Sequence, residues 1–145
     1  MSEIALIVGF ALAAATLTAI ALVMRNRRQH QAQEKRQRDR WIANTLYSIT
    51  NEANRKRLNV HATSKIDVVE AFEQLRQLVA TYPDDVASRI NDMEARWLEL
   101  NSQMAEFGQQ SASSTLKSSI LTSRTSKLAN DLTQLADEIQ DSLDP

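Results

Sequence analysis

From Ile4 to Met24 the chain runs 21 residues without a charged side chain, IALIVGFALAAATLTAIALVM, and only Thr16 and Thr18 in it are polar. As a helix with ~1.5 Å rise per residue this stretch is roughly 31 Å long, about the thickness of a bilayer's hydrocarbon core. The two threonine hydroxyls can bond back to helix carbonyls. The pattern predicts a retained transmembrane helix. A cleaved secretory signal would carry a basic start and a shorter apolar stretch, whereas this chain opens Met-Ser-Glu. Gly9 and Ala13 lie four apart, a spacing of small residues that lets two membrane helices approach closely.

Beyond Met24 the apolar positions become periodic. Ile42, Leu46, Ile49 and Ala53 follow one another at spacings of 4, 3 and 4, flanked by Trp41 and Tyr47, and predict an amphipathic helix with one modest apolar face. No glycine or proline falls between Phe10 and Tyr82, so the first helix is free to continue through this stripe. Asn51, Asn54 and Asn59 weaken it, and Asn59–His61 reads as a turn. A second helix is expected from about Ser64, with Ser64 and Asp67 resembling an amino-terminal cap. Val68, Val69, Phe72, Leu75, Leu78, Val79 and Tyr82 would form its apolar face, and Pro83 ends it by pushing Tyr82 out of helical geometry. Pro83, Asp84 and Asp85 then suit a new helix start.

The longest regular signal follows. Val86, Ile90, Met93, Trp97, Leu100, Met104 and Phe107 are separated by 4, 3, 4, 3, 4 and 3, and Gly108 stands where a carboxy-terminal cap is expected. Leu98, beside this seam, would widen it. Residues 109–126 are rich in serine and threonine, which predicts a loop to about Ser114 and then a helix of low intrinsic propensity. Leu128, Leu132, Leu135 and Ile139 repeat the 4-3-4 spacing, with Ala129 and Ala136 beside them. Such seams are the trace of a coiled coil between chains or of a bundle within one chain. The expected fold class is therefore all-α: a single-pass amino-terminal transmembrane helix followed by an elongated helical bundle or coiled-coil region. Its parts are an anchor over 1–24, a basic juxtamembrane helix over 25–58, a helical hairpin or kinked helix over 59–108, and a Ser/Thr-rich linker with a last amphipathic helix over 109–145.

Charge sharpens this picture. The formal net charge is only −1, but residues 25–58 hold ten basic and three acidic side chains while 59–145 hold seven basic and fourteen acidic ones. The basic run follows Met24 directly, and by the positive-inside rule it places the amino terminus outside and residues 25–145 in the cytoplasm. Arg25, Arg27 and Arg28 would then meet lipid headgroups, at about 1 kcal/mol each near an anionic surface. No aromatic side chain is interleaved between residues 25 and 40, so the run lacks the stacking platforms of a nucleic-acid binder.

Composition closes off most catalytic chemistry. There is no cysteine, which removes disulfides, thiolate nucleophiles and cysteine-ligated metals. His30 and His61 are far apart in sequence and belong to no ligand motif, and HExxH and G-x-S-x-G are absent. With two glycines in the chain there is no phosphate-binding loop. No cofactor, metal or small-molecule substrate is expected. What remains is association: a non-enzymatic, membrane-anchored scaffold or adaptor. It would act by self-association, or by docking another helical protein, through the seams Val86–Phe107 and Leu128–Ile139. Two further readings are an oligomeric pore former or permeability regulator, and a membrane tether for nucleic acid.

Overall fold

The structure is a computed structural model that describes residues 2–59, 63–109 and 115–142, with side chains from Thr16 onward except at 108–109 and 115–117. The described residues are all-α. Four helices follow in order: α1 Ser2–Leu58, α2 Val68–Val79, α3 Asp84–Gln109 and α4 Thr115–Asp141. The chain divides into two compact units, Met1–Gln37 and Arg38–Pro145, the division falling inside α1.

The second unit is a four-helix bundle with one core. The α1 stripe predicted from spacing is its first wall: Ile42, Leu46, Ile49 and Ala53 are all fully buried. Asp39, three residues before Ile42, is buried as well and extends the 3-4 spacing upstream with a carboxylate. Thr50 shares the buried face and satisfies its hydroxyl by donating to the Leu46 carbonyl at 2.9 Å.

The second helix begins at Val68, later than the sequence suggests, and Asp67 rather than Ser64 caps it. The Asp67 side chain accepts from the backbone N–H groups of Val69 and Glu70, both at 3.1 Å. A carboxylate there satisfies orphan donors and sits at the positive end of the helix dipole. Val68, Phe72, Leu75 and Val79 are buried, whereas Val69 turns outward. The helix stops at Val79, and the Tyr82 N–H bonds to the Val79 carbonyl in a tight turn ahead of Pro83. The Pro83 carbonyl then receives the Val86 N–H as α3 starts. Gly108 does not terminate α3, which runs on to Gln109.

Short connections and polar pairs between helices set the topology. Arg38 Nη1 donates to Thr81 Oγ1 at 2.9 Å, joining the early end of α1 in this unit to the end of α2. Arg76 on α2 pairs with Glu94 on α3 at 3.4 Å. Arg89 and Arg96, one heptad apart on α3, meet Glu138 and Asp131, one heptad apart in the reverse direction on α4. Tyr47 and Arg57 on α1 likewise meet Asp137 and Ser126 on α4 in reverse order. Each pair is therefore antiparallel, giving an up-down-up-down bundle.

The core lies between these helices. On α3 it takes Ile90, Met93, Trp97, Leu100 and Met104, and on α4 Leu121, Leu128, Leu132, Leu135 and Ile139 with Ala129 and Ala136. Val86 and Phe107, the two ends of the α3 seam, are partly buried against it. Leu98 stays exposed and does not widen the seam. Burial of each large side chain stabilises the unit by about 1.5–3 kcal/mol relative to exposure.

The first unit is a stretch of α1. Among the described residues no helix is long and apolar enough to cross a membrane. The expected single-pass span Ile4–Met24 is thus not a finding of the structure, and the side chains of its first part, including the Gly9 and Ala13 packing pair, lie outside the described residues.

Candidate functional site

The predicted site residues fall into two groups. The first lies in the 1–37 unit. Every described side chain from Thr16 to Gln37 is exposed. Leu17, Ile20, Leu22, Val23 and Met24 are each more than half exposed, the largest value being 67% at Leu17. In the bundle the exposed large aliphatic side chains, Leu58, Val69, Leu98 and Ile120, stand far apart in sequence, whereas here they follow one another in a single run, a different kind of surface from the scattered apolar residues common on soluble proteins. Directly after it, Arg25, Arg27 and Arg28 are exposed and make no ion pair among the described residues. Guanidinium groups on an exposed helix, next to uncovered aliphatic side chains, can meet phosphate or carboxylate bidentately.

The second group is the pair of heptad seams. Ile90, Met93, Trp97, Leu100 and Met104 on α3 and Leu128, Leu132, Leu135 and Ile139 on α4 are buried within a single chain, in one continuous core with α1 and α2. Sequence spacing left two arrangements open, seams packing within one chain or between chains. The one present here is intramolecular.

Sequence reasoning missed the polar groups that fix the bundle's register. Arg96 on α3 donates to Asp92 one turn earlier at 3.3 Å and to Asp131 on α4 at 2.7 Å. Burial works to lower its pKa, but the hydrogen bonds to Asp131 and Asp92 outweigh this and hold the guanidinium above its ordinary value. Arg89 is raised chiefly by its hydrogen bond to Glu138, whose carboxyl is lowered by the same contact. On the α1–α4 face Tyr47 Oη donates to Asp137 Oδ1, and that bond raises the phenol's pKa. A groove of about 420 Å³ runs beside Arg89, Asp92, Arg96 and Asp131. Within it Arg96 is paired with Asp92 and Asp131, and Arg89 reaches past the groove to Glu138.

A further polar clasp holds the α1–α2 connection. Glu52 is 3% exposed, and its Oε2 accepts from Arg55 Nη1 at 3.2 Å and from the Lys65 backbone N–H at 3.4 Å. Arg55 Nη2 donates in turn to the Thr63 carbonyl at 3.0 Å. Glu52 Oε1 finds no hydrogen-bond partner among the described residues. The available signal was weak: Glu52 precedes the stripe residue Ala53, and nothing local marks it as buried. Among the described residues no group of three or more histidine, aspartate or glutamate side chains is gathered closely enough to hold a metal ion.

No family model, no curated protein and no solved structure matches the chain.

Proposed function

We propose that this protein is a non-enzymatic, membrane-anchored helical scaffold or adaptor. It is held by a single span over Ile4–Met24, with the amino terminus outside and residues 25–145 in the cytoplasm. The observation that carries the reading is the sharp contrast at Met24. Leu17, Ile20, Leu22, Val23 and Met24 are uncovered in the folded chain, and the residues that follow are Arg25, Arg27 and Arg28. Aliphatic side chains left open to water on a helix call for another solvent, and a bilayer with its headgroups supplies both halves of that environment.

The bundle's polar side chains pair across helices and fix register, and its apolar seams fill its own core. With those seams occupied, docking of a partner by the intact bundle falls to exposed surfaces. Use of Val86–Phe107 between chains requires the bundle to open first.

Membrane fractionation with alkaline extraction tests the anchor, with protease access to the tail read from each side of the membrane. The intact chain is expected to stay in the pellet, and a version lacking residues 1–24 to be released. Recovery of the intact chain in the extracted fraction, or cleavage of its tail only from outside, overturns the proposal.

A further inference from the structure

Of the four helices in the bundle, α2 is the least secured. It has 12 residues, against 26 in α3 and 27 in α4. A helix that short is marginal in water without packing. Its packing is one strip, Val68, Phe72, Leu75 and Val79. Among the described residues, ion pairs tie α3 to α4 at three levels, Arg89–Glu138, Arg96–Asp131 and Arg124–Glu99. Tyr47 and Arg57 tie α1 to α4 through Asp137 and Ser126. Among the same residues α2 itself has one polar tie to a neighbouring helix, Arg76–Glu94 at 3.4 Å.

The segment 63–67 that leads into α2 is held by the Glu52 clasp. Its hydrogen bond from the Lys65 N–H is long, 3.4 Å, and Arg55 holds the Thr63 carbonyl at 3.0 Å. The hold is incomplete, because Glu52 Oε1 is buried with no hydrogen-bond partner among the described residues. An unsatisfied buried carboxylate oxygen costs free energy that water would return once the segment lifted. The same segment and the start of α2 share a groove of about 450 Å³ with Trp97 of the α3 seam.

We propose that α2, together with residues 63–67, is a lid that opens as one unit while α1, α3 and α4 stay packed, and that the Glu52–Arg55 clasp is its latch. Opening uncovers Trp97 and parts Glu94 from Arg76. Local opening of this kind lies below the free energy of global unfolding. The inference deepens the adaptor reading, on which it rests. The seam Val86–Phe107 serves another chain only after the bundle opens, and the lid supplies that step without unfolding the rest.

The experiment uses the full-length chain in nanodiscs of zwitterionic lipid. The chain has no cysteine, so each of the variants Val68→Cys, Val79→Cys and Ala136→Cys carries a single thiol. All three positions are buried, two at the ends of α2 and one on α4 next to Asp137. Under native conditions the two α2 thiols are expected to react with an aromatic disulfide reagent at similar rates, at least about tenfold faster than the α4 thiol. Adding Arg55→Gln should speed both α2 thiols several-fold and leave the α4 thiol unchanged. Hydrogen exchange on the unsubstituted chain reads the same opening without any replacement in the core. There the α2 amides should exchange ahead of those in residues 42–53, 90–104 and 128–139. Equal labelling of α2 and α4, labelling of Val68→Cys without Val79→Cys, or exchange of α4 ahead of α2 overturns the proposal. So does an absent response to Arg55→Gln, or an equal acceleration of all three thiols. Alkaline extraction of the same chain reads the anchor separately. An opening α2 in an extractable chain would sink the anchor and leave the lid, and a closed α2 in a firmly embedded chain would do the reverse.

Discussion

Arg96 and Asp131, 35 residues apart in sequence, meet across α3 and α4 at 2.7 Å, with the arginine side chain 28% exposed. One heptad away Arg89 meets Glu138, so two ion pairs in step lock the sliding register of the bundle's two longest helix faces. Partly buried, charge-assisted pairs stabilise more than exposed ones. Replacing Arg96 by alanine should cost about 1 kcal/mol, seen as a Tm lower by about 4 °C or more. A double-mutant cycle should couple Arg96 to Asp131 more strongly than to Asp92, whose contact is longer and lies within one helix. Equal coupling to both acids would show that the cross-helix contact adds nothing.

The Asp67 cap gives a second expectation. Its carboxylate serves two orphan N–H groups at the start of α2, a helix only 12 residues long. Asp67→Ala should destabilise the bundle by about 1 kcal/mol, and Asp67→Ser or Asp67→Asn by much less. Ser64→Ala should be nearly neutral. A reversed order in denaturant unfolding would move the cap back to Ser64.

The two tryptophans report separately on core and surface. Trp97 is 6% exposed on the α3 seam and Trp41 is 40% exposed on α1. A Trp41→Phe chain, emitting from Trp97 alone, should fluoresce to the blue and resist acrylamide quenching. A Trp97→Phe chain should emit to the red and quench readily. Because the seam is filled from within one chain, Trp97 emission should not change on dilution. A red shift as concentration falls would mean that the seam is covered by other copies.

Two surface groups set expectations for pH. The Tyr47 phenol is raised by donating to Asp137, with burial and the charges of Asp137 and Asp141 adding to the shift. A raised pKa contributes stability that is complete below the ordinary value of ~10 and is lost as pH climbs through the folded-state value. Glu138 is lowered by Arg89, so its contribution is present above the ordinary carboxyl range and is lost as pH falls through its own depressed value. Tyr47→Phe should remove the alkaline loss and leave the acid one, and Glu138→Gln the opposite. Unfolding midpoints measured across both limbs would check this, and an alkaline loss that persists in Tyr47→Phe would assign it elsewhere. Tyr47 is partly buried against the core but its hydroxyl bond lies at the surface, and the Glu138 side chain is 45% exposed, so the effects should be small and should shrink with salt.

Periodicity carried much of the bundle. The 4-3-4 stripe Ile42–Ala53, the seam Val86–Phe107 and the stripe Leu128–Ile139 each mark a helix face, because a repeat near 3.6 residues places those side chains together whatever surrounds them. Pro83 marked the break between α2 and α3 for an equally local reason: it lacks an N–H and restricts the residue before it. Capping was half legible. The Ser64–Asp67 spacing pointed to the correct neighbourhood, but which of two good capping residues takes the N–H groups depends on where the connection from α1 delivers the chain, and the Glu52–Arg55 clasp on residues 63–65 helps to set that.

The sequence alone determined the helices, their apolar faces, the polarised charge and the uncharged stretch before Arg25, since all of these follow from local order along the chain. Only the tertiary structure decided that both seams are filled within one chain, that Val69 and Leu98 face outward, that Asp39 and Glu52 are buried, and that Arg96 finds Asp131. Those outcomes depend on which faces meet and in what register. That choice is made among residues dozens of positions apart, by packing and pairing that no local spacing encodes.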